Sequence, residues 1–155
     1  MFRKLTENLE GVDMKCSLLI VDDEPKMVKY LSRRLINRGY EVRTASSGQE
    51  ALAAIANNPF TVILLDIMMP EMNGIETLKK IMETTPTAAV ILLTGHLSEQ
   101  IAAEGKKLGA FDLVMKPFDL NELIEKIDLA ARYQCQENVG SEFSGKTTQP
   151  EGKSD

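Results

Sequence analysis

The chain has 155 residues, 43% of them hydrophobic and 26% charged, which suits one globular domain with some tail and enough length to bury a sound core. A net charge of −5 excludes a broad basic face for nucleic-acid backbones, and no apolar run reaches bilayer-spanning length, so neither direct nucleic-acid binding nor a membrane partner is expected. Cys16 and Cys135 make no disulfide framework, and the N-terminus has no signal-peptide core, so reduced thiols in a cytoplasmic protein are expected.

Residues 1–14 form a mostly polar N-terminal extension. Phe2, Leu5, Leu9 and Val12 fall roughly on one helical face, but the composition favours a loosely ordered segment, and Met14 is an alternative start of the functional unit. A strand follows at Ser17-Leu18-Leu19-Ile20-Val21 and ends in Asp22-Asp23. Glu24-Pro25 opens a helix whose apolar stripe is Met27, Leu31 and Leu35, joined by Val28 and Ile36 and stopped by Gly39. Glu41 to Ala45 reads as a more polar edge strand. Ser47 with Glu50 is a capping box for the helix that follows, which Pro59 closes. Val62-Ile63-Leu64-Leu65 is a strand apolar on both faces, and it ends abruptly in Asp66.

Asn73 can cap a helix with Ile75, Leu78, Ile81 and Met82 on its core face. Ala89-Val90-Ile91-Leu92-Leu93 is a fourth buried strand ending in Thr94, and a helix with Ile101, Gly105 and Leu108 runs to Gly109. Leu113-Val114-Met115 is a short fifth strand ending in Lys116-Pro117, and a last helix turns Leu120, Leu123, Ile124 and Ile127 inward. Buried strands alternating with amphipathic helices mean an α/β fold with a doubly wound, five-stranded parallel sheet. From Gln136 onward the chain is polar, so residues 135–155 read as a disordered tail and residues 15–134 as the domain.

Right-handed crossovers put the carboxyl ends of all five strands on one edge, where open α/β sheets bind ligands. That edge collects Asp22, Asp23, Asp66, Thr94 and Lys116. Three crowded carboxylates repel unless a cation intervenes, and hard oxygen donors of this kind suit Mg²⁺ with waters and a phosphate. Lys116 is placed to hold a phosphoryl oxygen or to pair with Asp66, and Thr94 offers a hydroxyl. A carboxylate is already ionised at neutral pH, so Asp66 can attack phosphorus without a general base, and the set favours phosphoryl transfer. Plainer roles exist for each residue: Asp22 and Asp23 as an acidic helix start, Thr94 as an N-cap, Lys116 as a solvated charge and His96 as a surface-loop histidine.

Four pieces in order resemble the receiver domain of two-component response regulators: Leu19 to Glu24, Leu64 to Gly74, Leu92 to His96, and Lys116-Pro117-Phe118. The resemblance covers roughly Lys15 to Tyr133 and implies a flavodoxin-like (βα)5 sheet of order 2-1-3-4-5. It implies Asp66 as phosphoacceptor, with Mg²⁺ held by Asp22, Asp23, Asp66 and the backbone carbonyl of Met68. Thr94 is then the switch hydroxyl, Lys116 the phosphate-binding lysine before a cis Pro117, and His96 a residue that tunes phosphoryl lifetime. Such a domain catalyses its own phosphorylation and dephosphorylation. Its implied partners are a sensor histidine kinase or phosphotransfer protein and an output protein on the face of the fourth helix, fifth strand and fifth helix, with the chain monomeric or weakly dimeric. The family's usual aromatic residue three positions before the lysine is Leu113 here, so the expected rearrangement centres on the backbone at 95–99, with Leu113 as packing.

No DNA-binding domain follows, so the chain reads as a stand-alone regulator or a piece of a longer one. Two rivals stand beside this reading. A haloacid dehalogenase-type aspartate phosphatase needs a second acid two residues after its nucleophile, where this chain has Met68. An unphosphorylated interaction module would have no need of Asp66, Thr94 and Lys116 together.

Overall fold

The computed structural model describes residues 16–69, 74–95 and 99–134. Among these residues five strands alternate with five helices: β1 (Ser17–Val21), α1 (Pro25–Asn37), β2 (Glu41–Ala45), α2 (Gly48–Asn57), β3 (Val62–Asp66), α3 (Gly74–Thr84), β4 (Ala89–Thr94), α4 (Glu99–Lys107) and β5 (Asp112–Met115), then α5 over residues 120–134. The strands are all parallel, in the order β2-β1-β3-β4-β5. The flavodoxin-like architecture expected from the sequence is the one observed.

Strand side chains point alternately to the two faces of the sheet. Leu18, Ile20, Leu64, Ile91 and Leu93 pack with Leu31 and Leu35 of α1 and Leu123 and Ile127 of α5. Leu19, Val21, Ile63, Leu65, Val90 and Leu92 pack with Ala51 and Ile55 of α2 and Leu78 and Ile81 of α3. Each fully buried Leu or Ile contributes about 1.5–3 kcal/mol, so the central strands anchor the sheet from both sides. Gly39 and Gly109 end α1 and α4 at φ of +105° and +107°, a conformation that side chains with a Cβ rarely adopt.

Several details differ from the sequence reading. Ile36 is 55% exposed, because 100° per residue carries it past the stripe that buries Leu31 and Leu35. On α3 the buried arc turns toward Gly74 and Thr77, leaving Ile75 only half-buried. Ser47 Oγ does accept the Glu50 N–H at 3.1 Å, but the Glu50 carboxylate reaches back to Ser46, to its N–H at 2.7 Å and its hydroxyl at 3.1 Å, so the reciprocal half of the box is shifted by one residue. The Asn73 cap lies outside the described residues.

Register positions the functional edge. Val21 lies beside Leu65, Asp66 beside Leu93, and Thr94 beside Met115. One step further along each strand puts Asp22 level with Asp66, and Lys116 just beyond Thr94. The start of α3 then folds back tightly: the Gly74 N–H donates to the Ile67 carbonyl at 2.8 Å, and a Cβ on Gly74 would lie 2.3 Å from the Ile67 Cα. Backbone cannot yield as a side chain can. Gly74→Ala should therefore cost about 2–3 kcal/mol in urea unfolding. Gly105→Ala should stay within about 1 kcal/mol of the parent, because its Cβ meets only the tip of Leu92 at 2.7 Å and helix propensity offsets the strain. Equal effects of the two substitutions would refute this account of the α3 start.

Candidate functional site

Four strands deliver the site. Asp22 follows β1, Asp66 ends β3, Thr94 ends β4 and Lys116 follows β5. Asp22 is buried; its Oδ1 accepts the Glu24 N–H at 3.0 Å and its Oδ2 accepts from Lys116 Nζ at 3.1 Å. Asp66 is also buried; its Oδ1 accepts the Met68 N–H at 3.1 Å and its Oδ2 faces Lys116 Nζ at 3.4 Å. The Lys116 N–H donates to the Thr94 carbonyl at 2.6 Å, and a cis peptide joins Lys116 to Pro117. Asp23 is exposed, and one carboxylate oxygen from each of Asp22, Asp23 and Asp66 lies within 4.8 Å of the others.

Two buried carboxylates thus share one ammonium, with a third, Asp23, beside them. Among the described residues no cation lies within 4.0 Å of Asp23. Burial, aided by the Asp22 charge, pushes the Asp66 carboxyl up to about 6, against the Met68 N–H and Lys116, which favour the anion. Burial also works against the charge on Lys116, but Asp22 and Asp66 outweigh it and hold its pKa above the ordinary value. At neutral pH Asp66 is therefore an anion whose oxygens already face a hydrogen-bond donor and a cation. The excess of hard anionic oxygen fits a divalent cation such as Mg²⁺.

Of the residues that the sequence singled out, the structure brings together Asp22, Asp23, Asp66 and Lys116, with the Thr94 backbone bonded to Lys116. Thr94 is a fully buried strand residue, and α4 begins five residues later, so it is no N-cap. Lys116 is not a solvated charge, since its side chain is 19% exposed and paired twice. Asp22 is no mere acidic helix start, since it is buried against Lys116. Met68 is exposed at 61%, and its N–H donates to Asp66. His96 and most of the 95–99 backbone lie outside the described residues. The sequence reading missed the two backbone donors on Glu24 and Met68. The signal was present, because Asp22 and Asp66 each bond the N–H two residues on, a local turn that Asp favours.

The model of the response regulator receiver domain matches residues 18–128. The chain belongs to this family. The receiver is 42% identical to the regulatory protein AtoC of Escherichia coli over 106 residues, which cover 68% of this chain and 23% of that protein. It is 37% identical to the DNA-binding transcriptional regulator NtrC of Salmonella typhimurium over 131 residues, 83% of this chain and 28% of that one. The receiver therefore spans about a quarter of the length of these two relatives. A CheY-like receiver domain protein from Methanospirillum hungatei superposes with a TM-score of 0.77 at 34% identity, covering 79% of this chain and 98% of that one. The dehalogenase-type phosphatase reading falls with the family assignment.

Burial of Asp66 has a pH signature. Its carboxyl binds a proton near 3.8 in the unfolded chain and near 6 in the folded receiver. The folded state thus gains relative stability below pH 4 and loses it as pH rises through 6. Without divalent cations, Asp66→Asn should be more stable than the parent at pH 7 by about 1–3 kcal/mol, and the gap should close by pH 4. Urea unfolding at both pH values measures this. A pH-independent difference would contradict the desolvation account.

Proposed function

We propose that the receiver accepts a phosphoryl group on Asp66 from the phosphohistidine of a sensor histidine kinase or phosphotransfer protein, and passes the signal on by a change of conformation. One observation carries this reading: a buried carboxylate at a strand end, held at one oxygen by the Met68 N–H and at the other by Lys116, beside two more acids.

An Asp66 oxygen attacks phosphorus, a P–O bond forms, and the P–N bond of the donor breaks with its electron pair leaving on the imidazole nitrogen. The Met68 N–H keeps the attacking carboxylate oriented. Lys116, 3.4 Å from Asp66 and 3.1 Å from Asp22, shifts onto a phosphoryl oxygen. The Thr94 hydroxyl, one strand away, takes a second phosphoryl oxygen. Asp22, Asp23, Asp66 and the Met68 carbonyl are the groups that would hold Mg²⁺, which when bound neutralises charge on the transferring oxygens. Hydrolysis by water at the same site resets the switch.

The output surface in this reading is the face of α4, β5 and α5. Leu113 is half-buried against the α3 side of the core, which suits a packing residue rather than a swinging reporter. Residues 15–134 act as the receiver in the cytoplasm, as a monomer or weak dimer. No helix among the described residues is long and apolar enough to cross a membrane. The DNA-binding role in the name of NtrC belongs to a protein of which the receiver matches 28%.

Acetyl phosphate with Mg²⁺ should add one phosphoryl group to the parent and none to Asp66→Asn, as read by intact mass. Lys116→Met should slow labelling about ten- to a hundredfold, the loss of one charge-assisted contact of roughly 1.5–3 kcal/mol. Equal labelling of Asp66→Asn and the parent would refute the acceptor assignment. No labelling of either would favour a pure interaction module.

A further inference from the structure

β2 ends the sheet, and among the described residues no strand pairs with its outer edge. The Glu41 N–H donates to the Cys16 carbonyl at 3.0 Å, and the Ala45 carbonyl accepts the Asp22 N–H at 3.1 Å. Alternate residues of a strand bond the same neighbour, so Glu41, Arg43 and Ala45 bond β1, while Val42 and Thr44 turn their N–H and C=O groups outward. A concavity of about 590 Å³ lies at the foot of this edge. Its walls include Glu41, Val42 and Arg43 of β2, Ile36 of α1 on one side and Phe60 of the α2 layer on the other, so it straddles the edge. An edge with outward donors and acceptors is a template for another strand.

The side chains select that strand. Glu41 and Arg43 are exposed, stand on the same face of β2, and are the charged residues among those lining the concavity. Among the described residues neither has an opposite charge within 4.0 Å; Glu41 meets the Ser17 hydroxyl at 3.5 Å. Of the neighbouring charges, Arg38 is committed to Asp128 and Glu50 to Ser46. Edge charges of one sign repel a second copy, whereas opposite charges two residues apart complement one. Antiparallel pairing about a two-fold axis at Val42 sets Val42 against the partner's Val42, with reciprocal N–H to C=O bonds. It also sets each Glu41 opposite the partner's Arg43, in the non-hydrogen-bonded pairs where side chains come closest. Centring the axis on Arg43 instead opposes two like charges, and centring it on Thr44 leaves Glu41 without a partner.

We infer that two copies of this chain associate edge to edge through β2, with Val42 at the two-fold axis and each Glu41 ion-paired with the partner's Arg43. Ile36, 55% exposed on the wall of the same concavity, adds apolar area at the join. A five-residue strand offers little surface, so the association is weak. Antiparallel pairing turns the two acidic rims to opposite ends of the joined sheet, and the inference is independent of the phosphoryl chemistry.

Sedimentation velocity of the unphosphorylated full-length chain over a range of concentrations tests this. The parent should show a monomer–dimer equilibrium. Arg43→Glu and Glu41→Arg should each weaken it about tenfold or more, because both symmetry-related pairs turn from attraction to repulsion. An equimolar mixture of the two variants should recover the parent's association as a heterodimer, since each then meets its opposite charge. That recovery excludes misfolding as the cause of the losses. In parallel, hydrogen exchange of the Val42 amide should slow as concentration rises. A parent that stays monomeric up to about 1 mM would overturn the proposal. A dimer indifferent to both reversals, or one that mixing does not restore, would place the contact on another face and overturn it too. Val42 protection that does not change with concentration would show the edge covered from within the same chain, with the same consequence.

Discussion

The contact on which the site depends is a single ammonium between two buried carboxylates. Lys116 Nζ lies 3.1 Å from Asp22 and 3.4 Å from Asp66, while Asp23 adds a third acid to the same few ångströms. A buried ion pair is costly to assemble, and removing one partner leaves a desolvated charge behind. Here one cation serves two buried anions, so even the intact set is electrically unfinished. Burial expresses this by lifting the Asp66 carboxyl to about 6. Strain of this kind does little for stability, and it is the condition in which a carboxylate gains by acquiring cations or a coordinated phosphoryl group.

The rest of the fold holds that arrangement in place. Parallel pairing between β1, β3 and β4 fixes Asp22, Asp66 and Thr94 on one rim, and the backbone bond from Lys116 to the Thr94 carbonyl sets the approach of the lysine. The close return of Gly74 onto Ile67 pins the chain just after Asp66. At the other end of the sheet, Asp128 of α5 accepts from the Tyr40 hydroxyl and, at 2.6 Å, from Arg38. That triad ties α5 to the end of α1, so both flanking elements are fixed far from the acids. Burial and the Asp128 contact push the Tyr40 hydroxyl well above the usual phenol range, so Tyr40 keeps its proton and donates to Asp128 at physiological pH.

Much of this was legible in the sequence because strong patterns carried it. Four short apolar strands and one more polar edge strand, alternating with 3.6-periodic helices, leave few topologies, and acids at two strand ends with lysine at another define the functional rim. Less legible were matters of angle and of backbone. Ile36 belongs to the apolar composition of α1 but lies about 100° beyond Leu35, so the stripe could be named before its edge could. Glu50 was paired with Ser47 by spacing, yet its carboxylate found the free donors of Ser46 one residue earlier. The donors on Glu24 and Met68 are main-chain atoms and leave no residue signature of their own beyond the Asp two positions before. The partial burial of Ile75 and the full burial of Thr77 depend on how α3 rolls against the sheet, which Gly74 sets.

The central claim is that the acid cluster lacks positive charge and that Asp23 is the open side of it. Calorimetric titration with Mg²⁺ tests it most directly. The account predicts one site in the high-micromolar to millimolar range in the parent, with water completing the metal shell, and no measurable binding in Asp23→Ala. Unchanged Mg²⁺ affinity in Asp23→Ala would contradict it.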